Sequence, residues 1–165
     1  MKSLLKQRLA ALSLLCASGT LHALPAYINE FHYDNKGSDQ NEFVEIAGIA
    51  GTDLTNWHLE FYNGGNGKRY MTWDLAGSIV DQSQGFGVLA FTGSGGIQNG
   101  GNDGIALINE LGDLVQFLSY EGHVQASNGA AKGSLSTDVG VAESASSPLG
   151  QSVQLQGSGS DYDDF

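Results

Sequence analysis

A chain of 165 residues with 18 acidic and 7 basic side chains, a formal charge of −11, is long enough for one domain with its own core and too short for two sizeable ones. That acidity sets the chain against phosphate backbones unless cations intervene. Its single cysteine, Cys16, excludes an internal disulfide and any site built from several thiolates.

Residues 1–23 are read as a secretory signal peptide. Lys2, Lys6 and Arg8 lead into "LAALSLLCASGTL", an apolar run too short to stay in a bilayer as a permanent helix. "LHA" offers a small residue for cleavage after Ala23, with Gly19 as the alternative cut, and Leu14 and Leu15 are too bulky for lipoprotein processing at Cys16. The expected product is secreted, extracellular or periplasmic, with no membrane span. Cleavage leaves residues 24–165, in which four basic residues, Lys36, Lys68, Arg69 and Lys132, stand against all 18 acidic ones, a formal charge of −14. Cys16 departs with the leader, so the mature chain has no thiolate nucleophile and draws its stability from a core.

From Ala26 onward the hydrophobic period is two. "AYINEFHY", "EFVEIAG", "NWHLEFY", "RYMTWDL", "GFGVLAF", "DGIALIN", "LVQFLSY" and "QSVQLQ" predict eight short strands, and no helical period follows the leader. This is the pattern of an all-β sandwich or barrel. "YNGGNGKR" and "NELGD" supply the Asn, Gly and Asp that hairpin turns need for positive φ, and "TGSGGIQNGGNDG" is expected to be a longer, mobile turn. In the first strand, Glu30 is expected on the same face as Ile28. In the third, Trp57, Leu59 and Phe61 share one face while His58, Glu60 and Tyr62 share the other, which predicts a strand with one buried face. Gly104 to Tyr120 is the clearest hairpin and the surest core. Glu121 to Pro148, rich in Ser, Ala and Gly, predicts a long surface connection with a short helix or edge strand, after which "SVQL" returns to a sheet.

Two places hold candidate chemistry. "INEFHYDNKGSDQNEFVEI" crowds carboxylates around one turn, and Asp34, Asp39 and Glu42 are the oxygen donors a Ca²⁺ ion would use, although the spacing is not that of an EF-hand loop. Lys68 and Arg69 beside Tyr70 make the one basic patch available for binding, and two charges confer little affinity for a polyanion. Catalytic signatures are missing. His32 and Asp34 lie two apart on a strand, where a partly exposed histidine bonded to a neighbour is the simpler reading than a nuclease centre. His58 and His123 have no metal-ligand spacing and are expected to be structural or at the surface. No GxSxG elbow occurs, and no carboxylate pair sits in a recognisable glycosidase setting. Trp57, Tyr62, Tyr70 and Trp73 would stack sugars if exposed; their spacing suits a sandwich core.

The ordered motifs "INEFHYDNKGSDQNEFVEIAG", "GTDLTNWHLEFYNG", "GIQNGGNDGIALIN", "VQFLSYEG", "STDVGVAES" and "PLGQSVQLQGSGSDYDDF" resemble the lamin tail domain of secreted bacterial proteins, over essentially all of 24–165. The resemblance implies an immunoglobulin-like β-sandwich and a non-catalytic module for binding or targeting, of the kind found at the N-terminus of extracellular endonucleases. A C-terminal nuclease domain would then be its partner in the full-length protein, with extracellular DNA, polysaccharide or a cell-surface protein as what it engages. Relatives continue past the "YDDF"-like segment into a Trp- and Pro-containing closing stretch, so the domain is expected to be shortened at its C-terminal end as a fragment of a longer protein. Two alternatives stay open: a domain that engages DNA directly, and a carbohydrate-binding sandwich.

Overall fold

The computed structural model describes residues 24–159 and 162–165; the expected signal peptide lies outside the described residues. Nine strands follow one another: β1 (Ala26–His32), β2 (Phe43–Ile49), β3 (His58–Asn63), β4 (Lys68–Asp74), β5 (Phe86–Phe91), β6 (Gly104–Ile108), β7 (Leu114–Ser119), β8 (Thr137–Asp138) and β9 (Val153–Gln154). Eight coincide with the eight apolar-alternating runs. The ninth, β8, is the edge strand of the long connection, and among the described residues the only helical turn is a 3-10 turn at Tyr162–Asp164.

The strands form two sheets, one ordered β5-β2-β1-β9 and the other β4-β3-β6-β7-β8. Every pairing is antiparallel except that of β7 with β8, which is parallel. The chain is therefore an all-β sandwich. Ile28, Phe31, Val44 and Ile46 of the first sheet meet Leu59, Phe61, Trp73, Ile105, Leu107 and Leu118 of the second in one buried cluster. Each such side chain contributes roughly 1.5–3 kcal/mol by leaving water. Phe61 and Trp73 pack with ring centroids 4.7 Å apart, and Tyr33 stacks on Tyr120 at 3.9 Å. The β3–β4 hairpin turns through residues 64–67. The β6–β7 hairpin closes on Asn109, whose Oδ1 accepts the N–H groups of Leu111 and Asp113.

Three expectations are corrected. Glu30 does not share a face with Ile28, because the register between β1 and β2 shifts between these two residues; Phe31 and Tyr33 take the core positions and Glu30 is left half-buried opposite Glu45. Strand β3 buries both faces. Leu59 and Phe61 enter the inter-sheet core, while Glu60 and Tyr62 are also fully covered, Tyr62 in a second cluster with Ala106, Phe117, Val124, Ala126 and Ala131. The segment from Glu121 to Pro148 is the reason. It is more than a surface connection: Val124, Ala126, Ala131, Ser136 and Glu143 are buried, and it lies across the outer face of the second sheet. Its small side chains allow that close approach.

Candidate functional site

Strand β1 leaves the sheet at His32 and enters the acidic turn, and what holds it there comes from 110 residues later. Glu143 accepts from His32 Nδ1 (2.7 Å) through one oxygen and from the N–H groups of Tyr33 (2.7 Å) and Asp34 (3.1 Å) through the other. Its own N–H donates to the Tyr33 hydroxyl at 2.7 Å. With Nδ1–H given to Glu143, His32 Nε2 accepts from Asn35 Nδ2 at 3.0 Å, and the same amide donates to the carbonyl of Gln40 at 3.1 Å. His32 is 3% exposed, so the partly exposed histidine of the sequence is a buried one. It positions a turn.

The three carboxylates expected to hold Ca²⁺ do lie in one neighbourhood. Burial raises the Asp34 carboxyl above its ordinary range, and Asp39 beside it adds to the rise. Glu42 is also raised, by burial first, with the Asp39 charge acting in the same direction against the N–H of Ile97. Asp39 accepts from Asn35 N–H and from Asn99 Nδ2, each at 3.3 Å and through different oxygens, and one oxygen of Glu42 accepts from Ile97 N–H at 2.6 Å. Asn35 Oδ1 is buried without a hydrogen-bond partner. Among the described residues no group of three or more His, Cys, Asp or Glu side chains stands close enough to hold a metal ion. As arranged, this is a hydrogen-bonded acidic turn, and gathering a cation would require Asp39 to release Asn35 or Asn99.

The glycine-rich loop beside it, residues 92–103, is fastened at several points. Glu42 holds Ile97, Asp103 accepts from Gly64 N–H (2.6 Å) and Gly100 N–H (3.0 Å), the Gln98 N–H donates to the Tyr70 hydroxyl at 2.9 Å, and Tyr120 donates to the Gln98 carbonyl. Gly93 lies flat on the Trp73 indole, where a Cβ would collide with the ring. Glycine here permits contact.

Lys68, Arg69 and Tyr70 sit consecutively on β4, where the register with β3 shifts and leaves Tyr70 between the paired Arg69 and Met71, and the three do not form one patch. Lys68 is exposed, Tyr70 packs against the inter-sheet core, and Arg69 forms an ion pair with Glu60 on the outer face. Glu60 also accepts from the Tyr62 hydroxyl and from Ala130 N–H at 2.8 Å, with His58 Nε2 3.7 Å away. Burial pushes the Glu60 carboxyl up, but the hydrogen bonds from Tyr62, Ala130 and Arg69, and the Arg69 charge, outweigh it and hold the group below its ordinary range. Sequence alternation put Glu60 and Tyr62 on a solvated face and so missed this cluster; "SNGAAKG", whose small residues settle onto them, was the signal available. His123 is exposed, its Nδ1 3.0 Å from the Ser136 carbonyl.

Trp57 and Trp73 are each 5% exposed and Tyr27, Tyr33, Tyr62 and Tyr120 are buried, so these rings form no stacking platform. A mostly apolar hollow of about 360 Å³ lies between β1, β9 and Val139–Val141, with Tyr162 and Phe165 in its wall. No helix among the described residues is long and apolar enough to cross a membrane. Against protein-family models, curated proteins and solved structures, the chain has no match.

Proposed function

We propose that this chain is a secreted, non-catalytic module of lamin-tail type with an immunoglobulin-like sandwich, serving to bind or target, and forming the N-terminal part of an extracellular nuclease or related hydrolase. One observation carries the reading. Glu42, Glu60, Asp103 and Glu143 each accept backbone N–H and fasten a loop: Ile97, Ala130, Gly64 with Gly100, and Tyr33 with Asp34. A carboxylate oxygen committed to a fixed donor is less available as a general base. It is an effective fastener, since hydrogen bonds to a charged acceptor are worth about 1.5–3 kcal/mol each. The result is a rigid sandwich with pinned loops, suited to presenting a surface.

The lamin-tail assignment rests on the ordered sequence motifs, and the strands they mark form adjacent rungs of the sandwich: "INEFH" and "EFVEI" are the paired β1 and β2. Direct DNA engagement is the weaker alternative, because Arg69 is spent on Glu60 and leaves Lys68 as the free cation of that patch. Sugar stacking is weaker still with both tryptophans buried.

The test is to incubate the purified chain with supercoiled DNA in Mg²⁺ and in Ca²⁺, and in parallel with immobilised duplex DNA, extracellular polysaccharides and cell envelopes at physiological salt. Intact DNA together with retention on one of these surfaces is the expected result. Nicking that survives repurification would overturn the non-catalytic reading, and retention on none of them would overturn the binding one.

A further inference from the structure

The sequence contains four Asn–Gly dipeptides, at Asn63–Gly64, Asn66–Gly67, Asn99–Gly100 and Asn128–Gly129. Such a pair is chemically labile. The glycine nitrogen can attack the asparagine side-chain carbonyl carbon because no Cβ on the following residue hinders the approach. The attack needs a free N–H, since a hydrogen bond both holds that nitrogen in place and keeps its proton.

The fold treats the four very differently. Gly64 N–H donates to Asp103 Oδ1 at 2.6 Å, Gly67 N–H to the Asn63 carbonyl at 2.7 Å, and Gly100 N–H to Asp103 Oδ2 at 3.0 Å. Among the described residues Gly129 N–H makes no hydrogen bond, and both Asn128 and Gly129 are exposed. Lys68 N–H donates to Asn66 Oδ1 at 2.8 Å, but there Gly67 N–H is itself bound; at Asn128 the electrophile is polarised in the same way, with Arg69 N–H, fixed in β4, donating to Oδ1 at 2.7 Å. That donor draws electron density from the carbonyl and faces the oxygen on which negative charge develops during attack.

We propose that Asn128–Gly129 is a self-modifying site, converted by intramolecular deamidation in the folded protein ahead of the other three. Gly129 N bonds to Asn128 Cγ and loses its proton to water or hydroxide, and the C–N bond of the side-chain amide breaks to release ammonia. The five-membered succinimide then takes up one water across either carbonyl–nitrogen bond and opens to aspartate or isoaspartate. The net change is one water consumed, one ammonia released and one carboxylate gained.

The position gives this chemistry a consequence. On one side Ser127 N–H is bound to the Gly67 carbonyl at 2.7 Å; on the other Ala130 N–H is bound to Glu60 and Ala131 N–H to the Tyr62 hydroxyl. Gly129 itself, at φ +70°, lies so close to Tyr62 and Glu60 that a Cβ would collide with both. Isoaspartate routes the main chain through an extra carbon between these fixed points, so a bond on one side must yield. The lid over Glu60 loosens as the protein ages.

The experiment holds the purified folded chain at mildly alkaline pH and body temperature, and follows each Asn–Gly peptide by tandem mass spectrometry, beside a sample unfolded in urea. Conversion at Asn128 several-fold faster than at Asn63, Asn66 and Asn99 in the folded chain, with the four rates converging in urea, is the expected result. Equal or faster conversion at any of the other three in the folded chain would overturn the proposal, as would an intact Asn128 while the urea sample converts. Asn128→Ala must abolish the leading signal; its persistence would show that another residue was the source. Isoaspartate-containing protein should melt below both the fresh chain and Asn128→Asp, which keeps the backbone length; equal melting would remove the lid consequence.

Discussion

Two of the regions that bury carboxylates in this sandwich treat them in opposite ways. At Glu60, Arg69, the Tyr62 hydroxyl and Ala130 N–H surround one acid and hold its pKa down. At the acidic turn, Asp34 and Glu42 sit partly desolvated near Asp39 with no basic side chain as hydrogen-bond partner, and both are held up. The first region stores stability in a neutralised pair. The second carries uncompensated negative charge that folding tolerates. Burial alone is therefore no guide to what an acid does, and neither are backbone donors alone: Asp103, with two N–H groups, is still raised by burial, whereas Glu60, with Tyr62, Ala130 and the Arg69 charge, is lowered.

The sharpest way to break the contrast is to truncate Glu60. Glu60→Ala strips Tyr62, Ala130 and Arg69 of their common acceptor, and a loss of about 3 kcal/mol is expected, with the Arg69 share small because the guanidinium is partly solvated. Chemical denaturation measures it, and a loss below about 1 kcal/mol would mean the lid loop is held by its apolar contacts instead. Glu143→Gln should cost somewhat less, about 1–3 kcal/mol, because a neutral amide oxygen can serve either the Tyr33 and Asp34 N–H pair or His32 while its NH₂ faces the other, and without the charge each remaining bond is weaker. Its signature is local: amide exchange should speed up at Tyr33 and Asp34 before the rest of β1.

The pH dependence separates the regions by sign. Glu60, lowered in the fold, contributes stability that is present above its ordinary titration range and is lost as pH falls through the lowered value. Asp34 and Glu42, raised in the fold, make the native state hold more protons than the unfolded one between their ordinary and raised values, so they subtract stability as pH rises through that window. Asp34→Asn should remove part of that loss and raise the unfolding free energy from urea denaturation at neutral pH by less than about 1 kcal/mol, whereas at low pH it should change nothing. A destabilisation at neutral pH would show that the Asp34 charge is compensated after all. The smallest effect expected is from Ca²⁺. If Asp34, Asp39 and Glu42 gather around the ion, a concentration equal to Kd stabilises by about 0.4 kcal/mol. An unchanged melting temperature in millimolar Ca²⁺ and in EDTA would retire the calcium reading.

Particular residues show how far the chain could be read unaided. All eight alternating runs became strands, because period-two burial is a local property of an extended backbone. The "IALI" and "LVQFLSY" hairpin was legible for the same reason, with Asn109 and Gly112 providing its turn. Glu30 was misplaced because one bulge residue reverses every later side chain, and nothing local marks it. The acidic turn was legible as a concentration of oxygen donors. Its fastener was not, since Glu143 is separated from His32 by 111 positions.

What the sequence determined by itself was the all-β class, the strand set and the two hairpins, each a consequence of side-chain alternation and turn chemistry over a few residues. Only the tertiary structure decided which strands share a sheet, that both faces of β3 are covered, that Arg69 is spent on Glu60, and that one of four Asn–Gly pairs has no hydrogen bond to its glycine N–H among the described residues. These depend on which distant donor reaches which acceptor once the chain is folded, and a hydrogen bond between segments far apart leaves no periodic trace in either of them.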